Sequence, residues 1–252
     1  MIYPVFGPAN GDLLDPTIGT AIYVSHYARG HYPKAVALHT LAGRIPFTYD
    51  GADVTASVDI PHNVRIHRQR VDHPLLSANP HSEPTVPLVS IVKGMTFILV
   101  PVASLEALGS FTQSVLPGGK SYERTHLLDT DDGFDVGLIG TFYYCPLGVE
   151  PVASGGGEVK LIRTRMLDGA EDPGTGSASA ALCCYLSLSE GKEKGKGPFG
   201  YHLVQGVEMG RKCDIFVDVW RTEDGSAIQS VNLKGTAVKV MEGTVEIDAQ
   251  GQ

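Results

Sequence analysis

Cysteine and basic charge are in short supply here, and each shortage removes a class of function. The four cysteines, Cys145, Cys183, Cys184 and Cys213, show no C-x-x-C spacing, and a bridge between neighbours such as Cys183 and Cys184 is opposed by disulfide geometry. The nine histidines contain no H-E-x-x-H, and His62 and His67 fall on opposite faces of a strand-like stretch. No metal site is expected. Twenty basic residues stand against 28 acidic ones, a balance of −8, and a nucleic-acid binder needs a basic face that such a chain does not offer. No apolar run approaches the ~18 residues of a spanning helix. The longest, Met95 to Ala103, is interrupted by Thr96 and Pro101. The opening Met-Ile-Tyr-Pro-Val-Phe-Gly-Pro has neither a basic n-region nor an apolar h-region, so a cytoplasmic protein with reduced thiols is expected. No Gly-rich nucleotide signature is visible, and no cofactor is expected. The single tryptophan, Trp220, lies in an alternating stretch and is expected to pack in the core or at a lobe interface.

Gly and Pro are abundant, at 30 and 16 of 252 residues, and 42% of the chain is hydrophobic. That combination predicts a globular chain of many short elements. A long-range repeat organises it. Asp15-Pro16-Thr17-Ile18-Gly19-Thr20-Ala21 recurs as Asp172-Pro173-Gly174-Thr175-Gly176-Ser177-Ala178, a shared D-P-x-x-G-[ST]-A. Each copy opens a helical pattern, with stops at Gly30 and Gly191. Asp followed by Pro suits a helix start, since the carboxylate accepts free N–H groups and Pro has none to leave unpaired. Downstream of each helix the chain reads as strand, Asp-Gly turn, strand: Ile45 to Tyr49, Asp50-Gly51 and Val54 to Ile60 in the first half, Cys213 to Trp220, Asp224-Gly225 and Ala227 to Leu233 in the second. Two similar α+β lobes are predicted, residues 1–115 and 116–252. Turn-rich stretches at Leu116-Pro-Gly-Gly-Lys120 and Asp129-Thr-Asp-Asp-Gly133 join them, and the last strand is a candidate to return to the first lobe. Ser154-Gly-Gly-Gly157 reads as a loop before the strand Val159 to Ile162, and 190–197 as a solvated lysine-rich loop.

A helix start presents N–H groups and a partial positive charge, so it holds carboxylates. Two such starts facing one cleft could clamp a small acid, while a side-chain base from each lobe addresses the adjacent carbon. Gly19 and Gly176 would allow close backbone approach, and Thr20 and Ser177 offer hydroxyls. That geometry suits racemisation, epimerisation or double-bond migration. The same pattern can also be pure capping.

Glu171-Asp-Pro-Gly-Thr-Gly-Ser-Ala178 resembles the E-D-P-x-T-G-S-A signature of the phenazine-biosynthesis PhzF-like isomerases, and Asp15 to Ala21 resembles their G-H-P-T-I-G-T-A. Val89 to Val100 and Gln205-Gly-Val-Glu-Met-Gly-Arg211 agree with the same family. The resemblance implies an α+β, diaminopimelate epimerase-like fold, with each lobe a curled, mostly antiparallel sheet around a central helix and the site in the cleft. It implies a cofactor-independent isomerase of biosynthesis or secondary metabolism, acting on a small-molecule substrate, and a homodimer. Carried over position by position, Asp172 and Asp15 are the catalytic candidates. Thr17, Gly19, Thr20, Glu171, Thr175, Gly176, Ser177, Gly210 and Arg211 are the substrate-binding candidates. Thiol-based relatives place a cysteine at each helix start, where this chain has Asp15 and Asp172, so Cys183 and Cys184 read as packing residues.

The resemblance is incomplete at two points. The family carries a longer segment before its first signature, including an N-L-S-E-T glutamate that is its main acid/base. Only 14 residues precede Asp15 here, and none is glutamate. Leu14-Asp15 also stands where the family has Gly-His. Three readings follow: a proton-transferring isomerase, a repurposed cyclase or rearrangement catalyst for a bulkier intermediate, and a non-catalytic binding or assembly protein. Arg163 and Arg165 alternate toward Asp172, so one could reach the cleft or both could be surface. Tyr143 or Tyr144 could line it, and His26 and His31 are expected to cap or solvate the first helix end.

Overall fold

The computed structural model describes residues 14–40, 43–73, 85–116, 126–151 and 158–239, with Leu14 and Asp15 described by backbone alone. Residues 1–13, the stretch from Pro117 to Lys120 and the Ser154–Gly157 loop lie outside the described residues. The strands are β1 (Ala37–Thr40), β2 (Gly43–Asp50), β3 (Thr55–Asp59), β4 (Arg65–Asp72), β5 (Thr85–Val92), β6 (Gly94–Pro101), β7 (Gly137–Pro151), β8 (Glu158–Asp168), β9 (Ala170–Asp172), β10 (Phe199–Gln205), β11 (Cys213–Arg221) and β12 (Ile228–Thr236). The helices are α1 (Leu14–Ile22), α2 (Leu105–Ser110) and α3 (Gly176–Leu188), with a π turn over Tyr23–Tyr27 continuing α1.

One sheet runs β1-β2-β3-β12-β11-β10-β8-β7-β6-β5-β4, and β9 pairs with β8. Every neighbouring pair is antiparallel except β6 with β7 and β8 with β10. The β3–β12 pairing, Asn232 opposite Asp59 through Thr236 opposite Thr55, joins the two ends of the described chain. The fold is α+β and diaminopimelate epimerase-like.

Both Asp-Gly turns form where the alternation predicts. Asp50 Oδ1 accepts the N–H of Ala52 at 2.9 Å, and Asp224 accepts from Ser226 N–H, Ser226 Oγ and Thr222 Oγ1. Such side-chain mimics of a backbone turn are why Asp leads both hairpins.

α3 is the axis of the fold. It packs against β10, β11 and β12 on one side and β5 and β6 on the other, and Gly176 through Cys184 are all buried. A helix enclosed this way is apolar all round, and its Gly, Ser and Ala residues let the strands approach. Two buried hydroxyls are satisfied within the helix region: Ser179 Oγ donates to Thr175 O at 2.8 Å and Ser187 Oγ to Cys184 O at 2.9 Å. α1 lies against β2, β3 and β12, and its Ile18, Ala21 and Ile22 share one buried cluster with α3. β5 and β6 are buried on both faces because α2 and the segments around it cover a second cluster containing Val86, Leu88, Ile98, Val100 and Leu108. Their near-continuous apolar sequence follows from that double burial. Among the described residues, no helix is long and apolar enough to cross a membrane.

Two buried arginines hold helix ends. Arg165, 5% exposed, donates to the carbonyls of Leu108, Gly109 and Phe111 at the end of α2. Arg221, 0% exposed, does the same at the end of α3, reaching Ser187, Glu190, Gly191 and Gly195. Cations complete helix C-termini because the last carbonyls lack intrahelical partners and carry the negative end of the dipole. Trp220, expected in the core or at a lobe interface, is half-buried on the opposite face of β11. The alternation that buries Ile215, Val217 and Val219 turns Arg221 inward and Trp220 outward.

His67, 3% exposed, accepts the Asp129 backbone N–H at Nδ1 (2.9 Å). Its proton therefore sits on Nε2 and is donated to Ser90 Oγ at 2.8 Å, which in turn lies 2.6 Å from Thr96 Oγ1. This Ser–His pair is no nucleophile and base, since the nitrogen facing the serine is the protonated one. Burial holds the His67 and His73 imidazoles below their ordinary pKa. Below about pH 6.5 the unfolded chain gains protons that the folded chain refuses, so stability should fall as pH drops. Urea midpoints at pH 7.5 and 5.5 check this, in a window above the titration of the paired carboxylates. A lower midpoint at pH 5.5, flattened in His67→Gln, is the expected result.

The candidate active site at the entry of the central helix

The entry to α3 is built from the second repeat copy. β9 pairs with β8, placing Asp172 opposite Met166 and Glu171 opposite Leu167. The chain then turns through Pro173 and Gly174 to Thr175, the residue before the first turn of α3. Asp172, half-buried, accepts the Gly174 N–H at Oδ1 (3.2 Å) and the Thr175 hydroxyl at Oδ2 (2.7 Å). The carboxylate thus closes the turn that leads into the helix. An ionised carboxylate has about four acceptor sites, so two bonds leave acceptor capacity on the group.

A residue without an assigned role completes the arrangement. Gln205, fully buried at the end of β10, accepts the Thr175 N–H at Oε1 (3.1 Å). Its Nε2 donates to the Asp172 carbonyl at 2.8 Å and to Thr175 Oγ1 at 2.9 Å. Its signal was in the sequence. Tyr201, Leu203 and Gln205 occupy the inward positions of β10, and an amide forced into a core must find partners. Gly206 follows at φ +73°, and a Cβ there would stand 2.6 Å from Pro173 O and 2.3 Å from Arg211 O. Two backbone segments come close together here. At Gly19 the nearest atom to a Cβ is Ala237 Cβ at 3.9 Å, an ordinary contact.

The two motif copies do not start their helices alike. α3 begins at Gly176, four residues beyond Asp172, so Pro173 lies outside the helix. α1 begins at Leu14, so Asp15, Pro16, Thr17, Gly19 and Thr20 all lie within it. Thr20 Oγ1 donates back to Pro16 O at 2.7 Å, which is mid-helix behaviour rather than a helix start. Thr17 is 5% exposed. The Asp15 side chain lies outside the described residues, and with it the two-carboxylate arrangement.

Of the remaining candidates, Thr175, Gly176 and Ser177 are buried at the α3 entry beside Asp172. Glu171 is next to them, but Arg165 engages both of its oxygens, Nε to Oε1 at 2.8 Å and Nη2 to Oε2 at 2.7 Å. Gly210 and Arg211 are exposed on the loop after Gly206. Arg163 and Arg165 share a face of β8 and neither is surface: Arg163 Nη2 pairs with Glu208 Oε1 at 2.9 Å with its side chain 15% exposed. Tyr143 and Tyr144 are buried. Tyr143 donates to Gln113 O at 3.0 Å and stacks on Phe111, and burial pushes both phenols up to about 12. His26 Nδ1 lies 2.7 Å from the Tyr49 hydroxyl. Cys183 and Cys184 are buried in α3, and burial pushes both thiols up, Cys184 to about 12, which suits packing and not nucleophilic chemistry.

The match to a known family falls on the same region. Residues 165–243, which span β9, α3, Gln205 and the following loop, match the family model described as phenazine biosynthesis-like protein. Among solved structures, the chain is similar to the phenazine biosynthesis protein of the PhzF family from Bacillus anthracis. The two are 17% identical, over 94% of this chain and 77% of that one, with a TM-score of 0.62. A probable proline racemase from Agrobacterium radiobacter K84, crystallised with bound carbonate, is 14% identical over 85% of this chain and 61% of that one, with a TM-score of 0.49. No curated protein sequence matches the chain.

Proposed function

We propose that this PhzF-like chain is an isomerase that moves a proton on a small organic acid or specialised metabolite, shifting a double bond or inverting a centre. The observation that carries the reading is the Asp172 carboxylate, oriented by Thr175 and Gly174 at the entry of a buried helix, inside the stretch that matches the family. In the proposed step an Asp172 oxygen takes a proton from the carbon beside the substrate's electron-withdrawing group. The electron pair delocalises into that group as an enolate, and the positive end of the α3 dipole offsets the growing charge. Return of the proton to a conjugated carbon completes a double-bond shift. Return to the opposite face completes an epimerisation, for which Asp15 is the proposed second acid. The step moves no electrons to an acceptor, so the reading is cofactor-independent.

Incubation with small unsaturated and α-substituted carboxylic acids in D₂O tests this. Mass spectrometry should find solvent deuterium at one carbon of at least one acid, and none with protein heated to unfolding. Exchange in no member of a broad panel counts against proton transfer. A second reading, cyclisation or rearrangement of a bulkier intermediate, is favoured by the exposed apolar residues Val207 and Met209, 37% and 39% exposed, on the loop beside Pro173. It predicts turnover without deuterium gain.

A homodimer belongs to the same proposal, supported by Leu147 and Val149, 42% and 56% exposed at the outer end of β7. Light scattering should return twice 26.8 kDa. A mass of one chain across micromolar concentrations rejects it.

A further inference from the structure

We infer that Gln205 is the positioning residue for Asp172, acting through the Thr175 hydroxyl so that Oδ2 is a fixed acceptor and Oδ1 carries the exchangeable proton. The catalytic meaning of this rests on the proposed function, but the geometry stands independently of it. The orientation of the Gln205 amide is set by its surroundings. Oε1 faces the Thr175 N–H, while Nε2 faces two oxygens, the Asp172 carbonyl and Thr175 Oγ1. Turning the amide over would oppose donor to donor at one end and acceptor to acceptor at the other. With Nε2 donating to Thr175 Oγ1, the hydroxyl hydrogen is left to point at Asp172 Oδ2, 2.7 Å away. The relay has one direction: Gln205 Nε2–H to Thr175 Oγ1–H to Asp172 Oδ2.

The two carboxylate oxygens are therefore unequal. Oδ2 takes the short bond from a hydroxyl polarised by a second donor, and such chains strengthen each member. Oδ1 takes only the longer 3.2 Å bond from Gly174 N–H. A proton added to Oδ2 would compete with the stronger bond, so it adds to Oδ1. Among the described residues, the charged neighbours are paired or exposed. On β8 and β9, Arg165 is matched by Glu171. On the loop after Gly206, Glu208 is matched by Arg163, and Arg211 is exposed.

The test follows the Asp172 carboxyl carbon by NMR in full-length protein labelled with [4-¹³C]aspartate, the signal being assigned by its loss in Asp172→Asn. Thr175→Val removes the hydroxyl at constant shape. Gln205→Met removes the Nε2 donor and adds no charge, so the Thr175 hydroxyl is no longer polarised toward Asp172. Losing a donor to the charged form raises a carboxyl titration midpoint, so both variants should titrate above wild type. Thr175→Ser, which restores the hydroxyl, should return the midpoint to wild type. A role confined to packing would leave Thr175→Ser and Thr175→Val alike. A wild-type midpoint in Thr175→Val, with amide spectra outside the α3 entry unchanged, overturns the inference. Should Gln205→Met fail to fold, Gln205→Leu removes the same donor, and the Thr175 pair tests the Thr175–Asp172 bond by itself. Absence of deuterium exchange in wild type would reject the proposed function while leaving these midpoints to stand or fall alone.

Discussion

Arg221→Met is expected to be among the most destabilising single substitutions in the chain. The guanidinium fills a buried site and is ion-paired with no carboxylate among the described residues. Its charge is met by the carbonyls of Ser187, Glu190, Gly191 and Gly195, at 2.6–3.2 Å, and by the Phe199 ring, 4.5 Å from its centre. Methionine fills part of the volume and donates nothing, so carbonyls at the end of α3 lose their partners inside the core. Each buried acceptor left unpaired costs about 1–3 kcal/mol, and local relaxation brings the expected total to about 4 kcal/mol. At about 2–4 °C per kcal/mol for a chain of this size, thermal unfolding should move down by roughly 8–16 °C. Arg221→Lys should recover only part of this, because one ammonium cannot reach carbonyls spread from Ser187 to Gly195. A shift within a degree of wild type would show that water or another donor reaches those carbonyls.

Asp172→Asn should carry the largest effect on activity, a loss of roughly 10²–10⁴-fold in kcat, the scale for removing a general base. The amide cannot carry a proton between substrate positions. It also meets a mismatch, because the wild-type carboxylate accepts two donors, Gly174 N–H and Thr175 Oγ1–H, and an amide presents its own NH₂ to one of them. Some loss of stability, about 1–3 kcal/mol for the unsatisfied donor, is therefore part of the expectation. Thermal unfolding of the same preparation separates the two effects. If the variant is folded at the assay temperature and kcat is unchanged, Asp172 is a turn-closing residue and not the base.

Much of this arrangement was legible in the sequence. Asp50-Gly51 and Asp224-Gly225 marked both hairpins because the turn chemistry is local. The D-P-x-x-G-[ST]-A repeat located both helices for the same reason. It did not fix where each helix begins, because that depends on pairing across the sheet. β9, bonded to β8 at Met166, holds Asp172 extended and delays α3 to Gly176, whereas α1 is already helical at Leu14. Arg221 and Gln205 were readable from strand parity, each falling on the inward series of its strand. What parity could not say is which carbonyls and hydroxyls would meet them, since those partners lie tens of residues away. The same parity puts the half-buried Trp220 on the face opposite Ile215, Val217 and Val219.

The most direct test of the account is a crystal structure of the protein with an acid that gains deuterium in D₂O, determined with Asp172→Asn to hold the substrate unreacted. The account predicts the substrate carboxylate at the α3 entry and the exchanging carbon about 3–3.5 Å from the position of the Asp172 side-chain oxygen, the reach of a reacting pair. An exchanging carbon more than about 6 Å from that oxygen, or a carboxylate bound away from the α3 entry, would contradict it.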